Sequence, residues 1–577
     1  MQRNQRQSPP RGISFLIVCT VILSASLAFA GSSKMAKDLE GKRPSDQVDV
    51  IVQFKQAPTA RHHQKVFNHG GKLRHELGLV KSGAYSLPAS ALAGLAADPD
   101  VAYIAPDRPL YSTNNGSPTA VLDYHTDTVN APVAWAQGLN GTGIGVAVID
   151  SGVIDIPDFH AQNNLVVFSQ NFVGGTSGSA NDQYGHGSHV AGIIAGTGNK
   201  STGSNYFYTF KGIAPNVNLI NLRVLDQNGV GTDSQVIAAI QMAIQLKSKY
   251  NIRVINLSLG RPVYESYTLD PLDQAVEQAW KAGIVVVVAA GNEGRNNSAG
   301  TNGYGTITAP GNDPYVITVG AMKPMSTATR ADDLIATYSS KGPTLYDHVV
   351  KPDIVAPGNL MISDLASTTS TLYTQYPGNA IPQSYYRTYP VSTYQYYQLS
   401  GTSMSTAVVS GAVALMLQQN PSLTPDQVKA RLMKTAYKTF PQYSSYTDPT
   451  TGITYTSQYD IFTVGAGYLD IQAALSSTDL ASSSTGSAMS PAVARDSSGN
   501  VYIVTGSSVV WGGSVVWGTS VVWGTNPAGQ SVLWGGSVCW GSSTTQGYRV
   551  VWGSSLVWGA TNLNSSEAVK IAIKGEK

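Results

Sequence analysis

The stretch Val146-Ala-Val-Ile-Asp-Ser-Gly152 joins four consecutive apolar residues to a carboxylate and a glycine. A strand with one wet face alternates apolar and polar residues, and this run does not, so it predicts a strand covered on both faces. Three further runs share this character, at 219–225, 254–259 and 284–290. Segments with helical periodicity lie at 234–246, 273–282 and 405–417. The pattern predicts an α/β domain with a doubly wound parallel sheet and helices on both faces.

Asp150 lies at the carboxyl end of the first predicted strand, which is where functional sites collect in such sheets. Two other short segments carry complementary chemistry. Gly185-His186-Gly-Ser-His189 supplies an imidazole, and Gly401-Thr-Ser403-Met supplies a hydroxyl. An acid, a base and a nucleophile, each beside glycines that allow close backbone approach, predict a serine peptidase site. A metallopeptidase is unsupported, because the sequence has no His-Glu-x-x-His pattern and no paired cysteine spacing.

The region from 116 to 478 resembles the catalytic domain of the subtilisin family of serine endopeptidases, which has the same chain order of Asp, His and Ser. The resemblance implies that Ser403 is the nucleophile, His186 the general base and acid, and Asp150 the carboxylate that orients the imidazole. His189, on the same predicted helix as His186, is expected to be a packed helix residue.

The segment Ala289-Ala-Gly-Asn-Glu-Gly294 also resembles a family motif, and it implies that the Asn292 side chain stabilises the oxyanion of the tetrahedral intermediate. The resemblance further implies two segments that hold an extended peptide and wall the main specificity pocket. These segments are Ser258, Leu259 and Gly260, and Ala289, Ala290 and Gly291. Their small residues predict a roomy pocket and broad endopeptidase activity.

Catalysis of this kind needs no cofactor. Asp158 is a candidate ligand for a structural calcium ion, although no run of oxygen ligands accompanies it and the loop at 199–210 differs from the family's usual calcium loop. A tyrosine-rich insertion at 363–398 is expected to line or cover the substrate cleft.

The first residues predict export from the cell. Basic residues precede an apolar run at 13–30 that ends Ala28-Phe-Ala30, and together these form the three parts of a secretory signal peptide over 1–30. An uncleaved membrane anchor is the alternative, because the run nearly reaches spanning length. The small-x-small ending favours cleavage after Ala30. The product is then a secreted, extracellular or cell-surface protein that keeps only Cys539 and forms no intramolecular disulfide.

Residues 31–115 are predicted to form a small α+β domain, with a strand at 48–54, a helix at 89–95 and a strand at 101–104. The ending at 95–107 resembles the inhibitor-like propeptide of the subtilisin family. The resemblance implies that this segment is a partner that inhibits the catalytic domain and is removed by self-cleavage near 110–120. It also contains four histidines, and one hypothesis is that their protonation near pH 6 weakens the contact. A solvated polar surface is the alternative for these residues: His62, His63, His69 and His75.

From 479 to 577 the composition changes to Ser, Gly and Thr and then to a Val-Trp-Gly repeat. A linker followed by a β-rich repeat module is predicted, either a short solenoid or a meander. We favour the interpretation in which its tryptophans form the module's own core; an aromatic platform for glycan or cell-surface contact is the alternative. The repeated residues are Trp511, Trp517, Trp523, Trp534, Trp540, Trp552 and Trp558.

The charge content is low, with a formal net charge of +2 and 12% charged residues, which argues against a nucleic-acid partner. The expected partners are protein or peptide substrates. The leading function is a secreted serine endopeptidase that works through an acyl-enzyme. The alternative is a noncatalytic surface or adhesion protein that keeps a peptidase fold, although no member of the triad is lost here.

Overall fold

The computed structural model describes residues 34–112, 123–174, 178–495, 501–503, 533–534, 538–539, 573 and 575–576. The predicted signal peptide lies outside these residues. So does most of the tryptophan repeat, of which the structure describes only two short paired strands at 533–534 and 538–539.

The N-terminal unit, residues 34–112, contains a four-stranded antiparallel sheet in the order β2-β3-β1-β4. Its elements are β1 (Gln47–Phe54), α1 (Ala60–Asn68), β2 (Lys72–Leu77), β3 (Ser82–Pro88), α2 (Leu92–Ala97), β4 (Val101–Pro106) and β5 (Pro109–Ser112). The two predicted strands are present as β1 and β4. The predicted helix at 89–95 begins as a 3-10 turn at Ala89–Ala91 and continues as α2.

The two faces of this small sheet pack against different partners. Val50 and Val52 of β1 join the unit's own core with Val66 of α1 and Leu95 of α2. Ile51 points to the opposite face, because side chains alternate along a strand, and it belongs to the core of the larger unit. The N-terminal unit therefore packs on the rest of the chain through the sheet face that carries Ile51.

Buried ion pairs reinforce this contact. The Arg108 side chain is 3% exposed, and its Nη1 lies 2.7 Å from Glu265 Oε1 in the larger unit, while Nε lies 3.0 Å from Asp38 Oδ2 in the N-terminal unit. Fully buried Arg261 lies beside them, paired with Asp233 at 2.9 Å and with Asp270 at 2.7 Å. A buried charge that loses its partner is strongly destabilising, so this cluster locks the two units in register.

The four histidines of the N-terminal unit lie in different environments: His62 and His63 are buried, His75 is half-buried and His69 is exposed. His62 Nδ1 accepts from Thr59 N at 3.0 Å and caps α1, and His63 Nδ1 lies 2.7 Å from the Tyr85 hydroxyl. Both histidines are buried inside the N-terminal unit. They therefore serve its internal packing, and the charged contact with the larger unit is made by Arg108 and its carboxylate partners.

The larger unit is built on an eight-stranded sheet in the order β14-β13-β12-β10-β6-β8-β7, with β15 paired to β13. All these pairs are parallel except β13 with β14. The strands are β6 (Gly145–Asp150), β7 (Val166–Asn171), β8 (Asn218–Arg223), β10 (Ile252–Leu257), β12 (Val285–Ala289), β13 (Ile317–Lys323), β14 (Leu334–Ile335) and β15 (Ile354–Pro357). The predicted parallel sheet is confirmed.

Both faces of this sheet are covered, because all residues of β6 and β12, and all of β10 except Arg253, are buried. The helices that pack on it form two groups, α5 with α9 and α6 with α7. Their bounds are α5 (His186–Ala195), α6 (Asp233–Tyr250), α7 (Pro271–Lys281) and α9 (Thr402–Gln419). The predicted doubly wound architecture is thus confirmed, and the three predicted periodic segments lie in α6, α7 and α9.

Smaller elements complete the unit. The helices among them are α3 (His125–Thr128), α4 (Ala131–Ala136), α8 (Thr371–Gln375), α10 (Pro425–Thr435) and α11 (Ile471–Ser476). The strands are β9 (Val230–Thr232), β11 (Leu259–Gly260), β16 (Met361–Asp364), β17 (Tyr396–Leu399), β18 (Tyr443–Thr447), β19 (Thr454–Gln458), β20 (Val493–Arg495), β21 (Val501–Ile503), β22 (Leu533–Trp534) and β23 (Val538–Cys539). Among the described residues, no helix has both the length and the apolar character needed to cross a membrane.

Residues beyond the predicted boundary at 478 continue to pack on the larger unit. The Ser490 hydroxyl donates to Asp353 Oδ1 at 2.5 Å, and Ala488 N donates to Asp426 Oδ1 at 2.7 Å. Val493 joins a small core with Val350 and Phe462. The packed region therefore runs at least to Val493, some way into the stretch that composition marks as a linker.

The substitution Arg108→Met tests the buried contact between the two units. It leaves Glu265 and Asp38 without their shared cation, so we expect the N-terminal unit to lose roughly 3–5 kcal/mol of its docking free energy. Faster hydrogen–deuterium exchange across β1 and β4 measures the loss. Arg74→Met is the matched control, because its pair with Asp49 is about half exposed and is expected to contribute less than ~1 kcal/mol. Equal exchange in the two variants would contradict the assignment.

Candidate active site

Asp150 and His186 form a buried hydrogen-bonded pair. Asp150 is the last residue of β6 and His186 the first of α5, and His186 Nδ1 lies 2.6 Å from Asp150 Oδ1. Both side chains are fully buried, and Ser151 N donates to the same carboxylate oxygen at 2.7 Å. A carboxylate at Nδ1 holds the proton on that nitrogen, which leaves Nε2 as the basic atom of the ring.

The start of α5 is held by a second carboxylate, Asp182. Its oxygens accept hydrogen bonds from Gly185 N at 2.7 Å and Ser188 N at 2.8 Å, so they satisfy amides of the first helical turn. The Ser151 hydroxyl donates to Asp182 at 2.8 Å and accepts from Gly187 N at 2.9 Å. This relay ties the end of β6 to the start of α5, and it thereby fixes the imidazole against Asp150.

Gly187 allows this close approach. A Cβ added there would lie 2.2 Å from the carbonyl oxygen of Gly152, which is far inside van der Waals contact. Any larger residue would push α5 away from the end of β6, so this close approach requires glycine at position 187.

Ser403 is the second residue of α9 and is joined to Ser258. The Ser403 hydroxyl donates to the Ser258 carbonyl at 3.1 Å, and the Ser258 hydroxyl donates to the Ser403 carbonyl at 2.8 Å. Helices α5 and α9 pack on each other, so His186 and Ser403 occupy the first turns of adjacent helices.

Asp150 is hydrogen-bonded to His186, but no hydrogen bond joins His186 Nε2 to Ser403. His186 Nε2 is buried and, within the part of the chain that the structure describes, it has no hydrogen-bond partner. The Ser403 hydroxyl is turned towards Ser258 instead. Such hydrogen bonds are often long or poorly aligned without substrate and tighten only when substrate is bound.

Asn292 follows β12 and is fixed by the residue before the serine. Its Oδ1 accepts from both Thr402 N and Thr402 Oγ1 at 3.0 Å, and Thr402 Oγ1 also accepts from Gly291 N at 3.2 Å. These hydrogen bonds to its oxygen fix the orientation of the Asn292 amide group. The side chain is 4% exposed, so its orientation is set by protein contacts.

The two predicted peptide-binding segments differ in their contacts. Leu259 and Gly260 form β11, which pairs antiparallel with β5 of the N-terminal unit, Leu259 with Ser112 and Gly260 with Tyr111. An extended chain is thus already seated on this segment.

The second predicted segment is bonded within the larger unit instead. Ala289 ends β12, the Ala290 carbonyl accepts from Thr308 N at 3.0 Å, and the Gly291 carbonyl accepts from Ser340 N at 2.9 Å. This segment is therefore bonded to its own unit, whereas Leu259–Gly260 pairs with β5.

Comparison with known proteins agrees with this geometry. Residues 141–468, more than half of the chain, match the subtilase family. Serine protease AprX of Bacillus subtilis is 39% identical over 320 residues, which cover 54% of this chain and 66% of AprX. Subtilisin E of the same species is 33% identical over 429 residues, which cover 74% of this chain and 93% of subtilisin E.

This chain belongs to the subtilase family of serine-type endopeptidases. A solved structure, that of fervidolysin from Fervidobacterium pennivorans, a keratinolytic enzyme related to subtilisin, has a TM-score of 0.55 at 20% identity. The match covers 77% of this chain and 62% of fervidolysin. At that identity the likeness shows the shared fold, and it confirms the predicted subtilisin-like architecture.

In this subtilase, Asp158 has partners that do not suit a calcium ion. Its Oδ1 accepts from Lys200 N at 2.6 Å and its Oδ2 accepts from the Tyr396 hydroxyl at 2.7 Å. The Lys200 ammonium pairs with Asp364 at 2.8 Å, so a protein cation already neutralises charge here. The described residues contain no group of three or more His, Cys, Asp or Glu side chains that could hold a metal ion. The donor set therefore does not fit calcium.

The tyrosine-rich insertion packs beside Asp158. Tyr386 and Tyr396 are buried with Phe210 and Ile362 in one small core. In the same segment, Tyr389 is 71% exposed. Instead of forming only a cover for the cleft, the insertion thus builds an aromatic core against the loop at 199–210.

His189 is buried and structural, as expected for a packed helix residue. Its Nε2 lies 3.0 Å from the Tyr397 carbonyl and 3.2 Å from the Met361 carbonyl, so this nitrogen carries the proton. Burial, together with the nearby His186, lowers the pKa of His189 to about 3. The ring therefore stays neutral and ties α5 to β16 and β17.

Three residues that hold the site in position were not predicted from the sequence: Ser151, Asp182 and Thr402. Asp182 had the clearest local signal, since an aspartate just before a helix start is a common cap. The roles of Ser151 and Thr402 depend on contacts across the chain, which local patterns do not contain.

His189 makes the stability of this subtilase depend on pH. Its folded pKa of about 3 is below its ordinary value of 6.5, so its stabilising contribution is complete above pH 6.5 and is lost as pH falls towards 3. We expect this residue to lower the free energy of unfolding by roughly 1.4 kcal/mol for each pH unit in that window. Urea unfolding of the wild type and His189→Gln, whose side-chain amide can still donate, measures the difference.

The exposed residue His160 supplies the matched control, as His160→Gln should keep the wild-type acid dependence. An identical loss of stability on acidification in the wild type and His189→Gln would contradict the role given to His189.

Proposed function

We propose that this subtilase is a secreted serine endopeptidase of broad specificity that removes its own N-terminal unit. The observation that carries the proposal is the buried Asp150–His186 pair at 2.6 Å, on a helix packed against the one that begins with Thr402 and Ser403. Catalysis uses only side chains and backbone groups, so it needs no cofactor.

The Ser403 hydroxyl acts as the nucleophile. Its oxygen attacks the scissile carbonyl carbon while its proton passes to His186 Nε2, and Asp150 stabilises the imidazolium that forms. His186 then gives the proton to the leaving amine, the C–N bond breaks, and an ester to Ser403 remains. Water, deprotonated by the same imidazole, hydrolyses this ester and restores the serine.

The negative charge that develops on the carbonyl oxygen needs donors that are already in position. Asn292 Nδ2 and the backbone N–H of Ser403 are the proposed pair. Two hydrogen bonds from Thr402 hold the Asn292 oxygen, so little reorganisation is required when the oxyanion forms. The N-terminal end of α9 adds a favourable field.

Substrate is proposed to bind as an extended strand on Ser258, Leu259 and Gly260, beside the wall formed by Ala289, Ala290 and Gly291. Pairing of β5 with β11 supports this assignment, because β5 uses the same edge as a peptide substrate would. Backbone pairing demands little of the substrate's side chains, and this favours broad specificity.

The same pairing supports self-processing. Strand β5 ends at Ser112, paired with the edge proposed for the substrate, and Ser112 lies in the sequence within the proposed cleavage region. Cleavage within 110–120 would then leave the N-terminal unit as a bound inhibitor. Secretion is inferred from the signal at 1–30, and cell-surface or glycan contact through the tryptophan repeat remains part of the proposal.

The variant Ser403→Ala tests the nucleophile. We expect loss of casein hydrolysis and retention of the N-terminal unit, because both reactions need the same hydroxyl. Ser405→Ala is the matched control: that buried serine lies two residues further along α9 and donates to the Ala356 carbonyl. Intact mass and N-terminal sequencing of the secreted products give the readout. A processed, active Ser403→Ala protein would overturn the assignment.

The variant Asn292→Leu tests the oxyanion donor. We expect kcat to fall by roughly 10²–10³ with KM nearly unchanged, the usual effect of removing one such donor. Thr402→Ser keeps a hydroxyl on the Asn292 oxygen and should retain most of the rate. Steady-state kinetics on a chromogenic peptide distinguish the two. An unchanged kcat in Asn292→Leu would leave Asn292 as a turn residue.

A further inference from the structure

A glutamate from the far end of the chain is buried in the catalytic unit. The distal segment, defined here as Ile573, Gly575 and Glu576, follows the tryptophan repeat in the sequence. Glu576 is 1% exposed, which is rare for a carboxylate unless partners compensate its charge. The groups around it form a site that compensates this charge.

The carboxylate of Glu576 accepts hydrogen bonds from three donors. Oε1 accepts from Arg295 Nη2 at 2.8 Å and from Thr337 N at 2.8 Å, and it also accepts from the Thr337 hydroxyl. Arg295 is itself held in place, since its Nε donates to Thr337 Oγ1 at 2.8 Å and its Nη1 to Asp448 at 3.1 Å. This arrangement selects a negative charge at one position.

The backbone of Glu576 is hydrogen-bonded to a different residue, Asn359. The Asn359 oxygen accepts from Glu576 N at 2.9 Å, and its Nδ2 donates to Glu576 O at 2.8 Å. Asn359 is 3% exposed. Asn359 thus binds both backbone polar groups of one residue, so the site combines recognition of the peptide backbone with recognition of the carboxylate.

Gly575 brings the segment against the turn that precedes the nucleophile helix. A Cβ added to Gly575 would lie 2.4 Å from Leu360 Cδ2 and 2.8 Å from Ser400 Oγ, so the backbone is in direct contact with both residues. Its φ of 56° is also a left-handed conformation that favours glycine. Ser400 immediately precedes Gly401, and Ser403 is three residues further on.

The segment lies on the opposite flank of the site from β5. Strand β5 pairs with β11, which follows β10, whereas Asn359 follows β15, on the far side of β12 and β13. Asn292, at the end of β12, lies between these two flanks. If β5 marks the side taken by the substrate before its scissile bond, the distal segment lies on the side that the leaving group takes.

We propose that Arg295, Thr337 and Asn359 form a subsite for a peptide glutamate, that Glu576 of the same chain occupies it, and that this occupant competes with the leaving-group side of a substrate. The competition rests on the proposed endopeptidase function, whereas the binding does not. When Glu576 leaves, the subsite is open to an acidic residue that follows the scissile bond.

A binding experiment tests the subsite alone. The probe is the acetylated peptide Lys-Ile-Ala-Ile-Lys-Gly-Glu-Lys, the sequence of 570–577, titrated into full-length Ser403→Ala/Glu576→Ala by calorimetry. We expect the affinity to fall roughly tenfold or more when the peptide glutamate is replaced by glutamine, because charge-assisted hydrogen bonds are lost. The matched control protein, Ser403→Ala/Glu567→Gln, keeps Glu576 in the subsite. Its affinity for the peptide should be lower by roughly tenfold or more.

Equal affinity for the glutamate and glutamine peptides, equal affinity for the two proteins, or no binding at all would each overturn the subsite. Catalysis plays no part in this measurement, so its outcome is independent of the function assigned to Ser403.

A kinetic experiment tests the competition. Glu576→Ala and Glu567→Gln, both with Ser403 intact, are compared on a peptide that extends beyond the scissile bond through a glutamate and on an anilide that ends at that bond. We expect the ratio of kcat/KM for the peptide to that for the anilide to rise roughly tenfold in Glu576→Ala alone, as the occluded fraction of the site is released. An unchanged ratio, with the anilide still hydrolysed, would overturn the competition; absence of all hydrolysis would instead contradict the endopeptidase function.

Discussion

In a parallel sheet, the carboxyl ends of the strands meet at one edge, and the frame of the candidate active site depends on that constraint. Asp150 ends β6, Ser258 follows β10 and Asn292 follows β12, and these three strands are neighbours in the sheet. The sheet itself is stabilised by apolar strands with both faces covered. Residues far apart in the chain therefore meet at the site because the hydrophobic core places the ends of their strands side by side.

Helix starts supply the rest of the site. The first turn of a helix leaves amides without partners inside the helix. Asp182 binds those of α5, and Thr402 links the start of α9 to Asn292. Most of these groups are buried and hydrogen-bonded, and such a network holds one arrangement rigidly. That rigidity is what an oxyanion donor requires, because its contribution depends on being in position before charge develops.

Two segments from outside the catalytic unit reach this edge from different sides. Strand β5 pairs between β9 and β11, and buried ion pairs at Arg108 keep the unit that carries it in place. Glu576 is held by Arg295 and Asn359 beyond β12. Under the proposed function, access to the catalytic groups depends on these two peptide segments of the same chain.

Much of the fold follows from the sequence, because uninterrupted apolar runs and helical periods identify strands such as β6 and helices such as α6. Helical periodicity marks α9 from 405, and the helix begins slightly earlier, at Thr402, whose polar side chain carries no apolar signal. Asp158 was a candidate calcium ligand, yet folding brings Lys200 N and the Tyr396 hydroxyl to its two oxygens, which local sequence does not indicate.

The least predictable contact is that of Glu576, which is 281 residues from Arg295 in the chain. Local patterns report which side chains share a strand face or a helix face. They do not report which distant charges become buried together, because that pairing is decided by how the whole chain packs.

The central claim is that Ser403 is made nucleophilic by His186, and covalent labelling tests it most directly. A phosphonofluoridate transfers its phosphonyl group to an activated serine oxygen and releases fluoride. Peptide mapping by mass spectrometry should find the adduct on Ser403 of the wild-type protein, with labelling strongly slowed in His186→Ala, because the hydroxyl then lacks its base. A label on another serine, or equal labelling rates in the two proteins, would contradict the account.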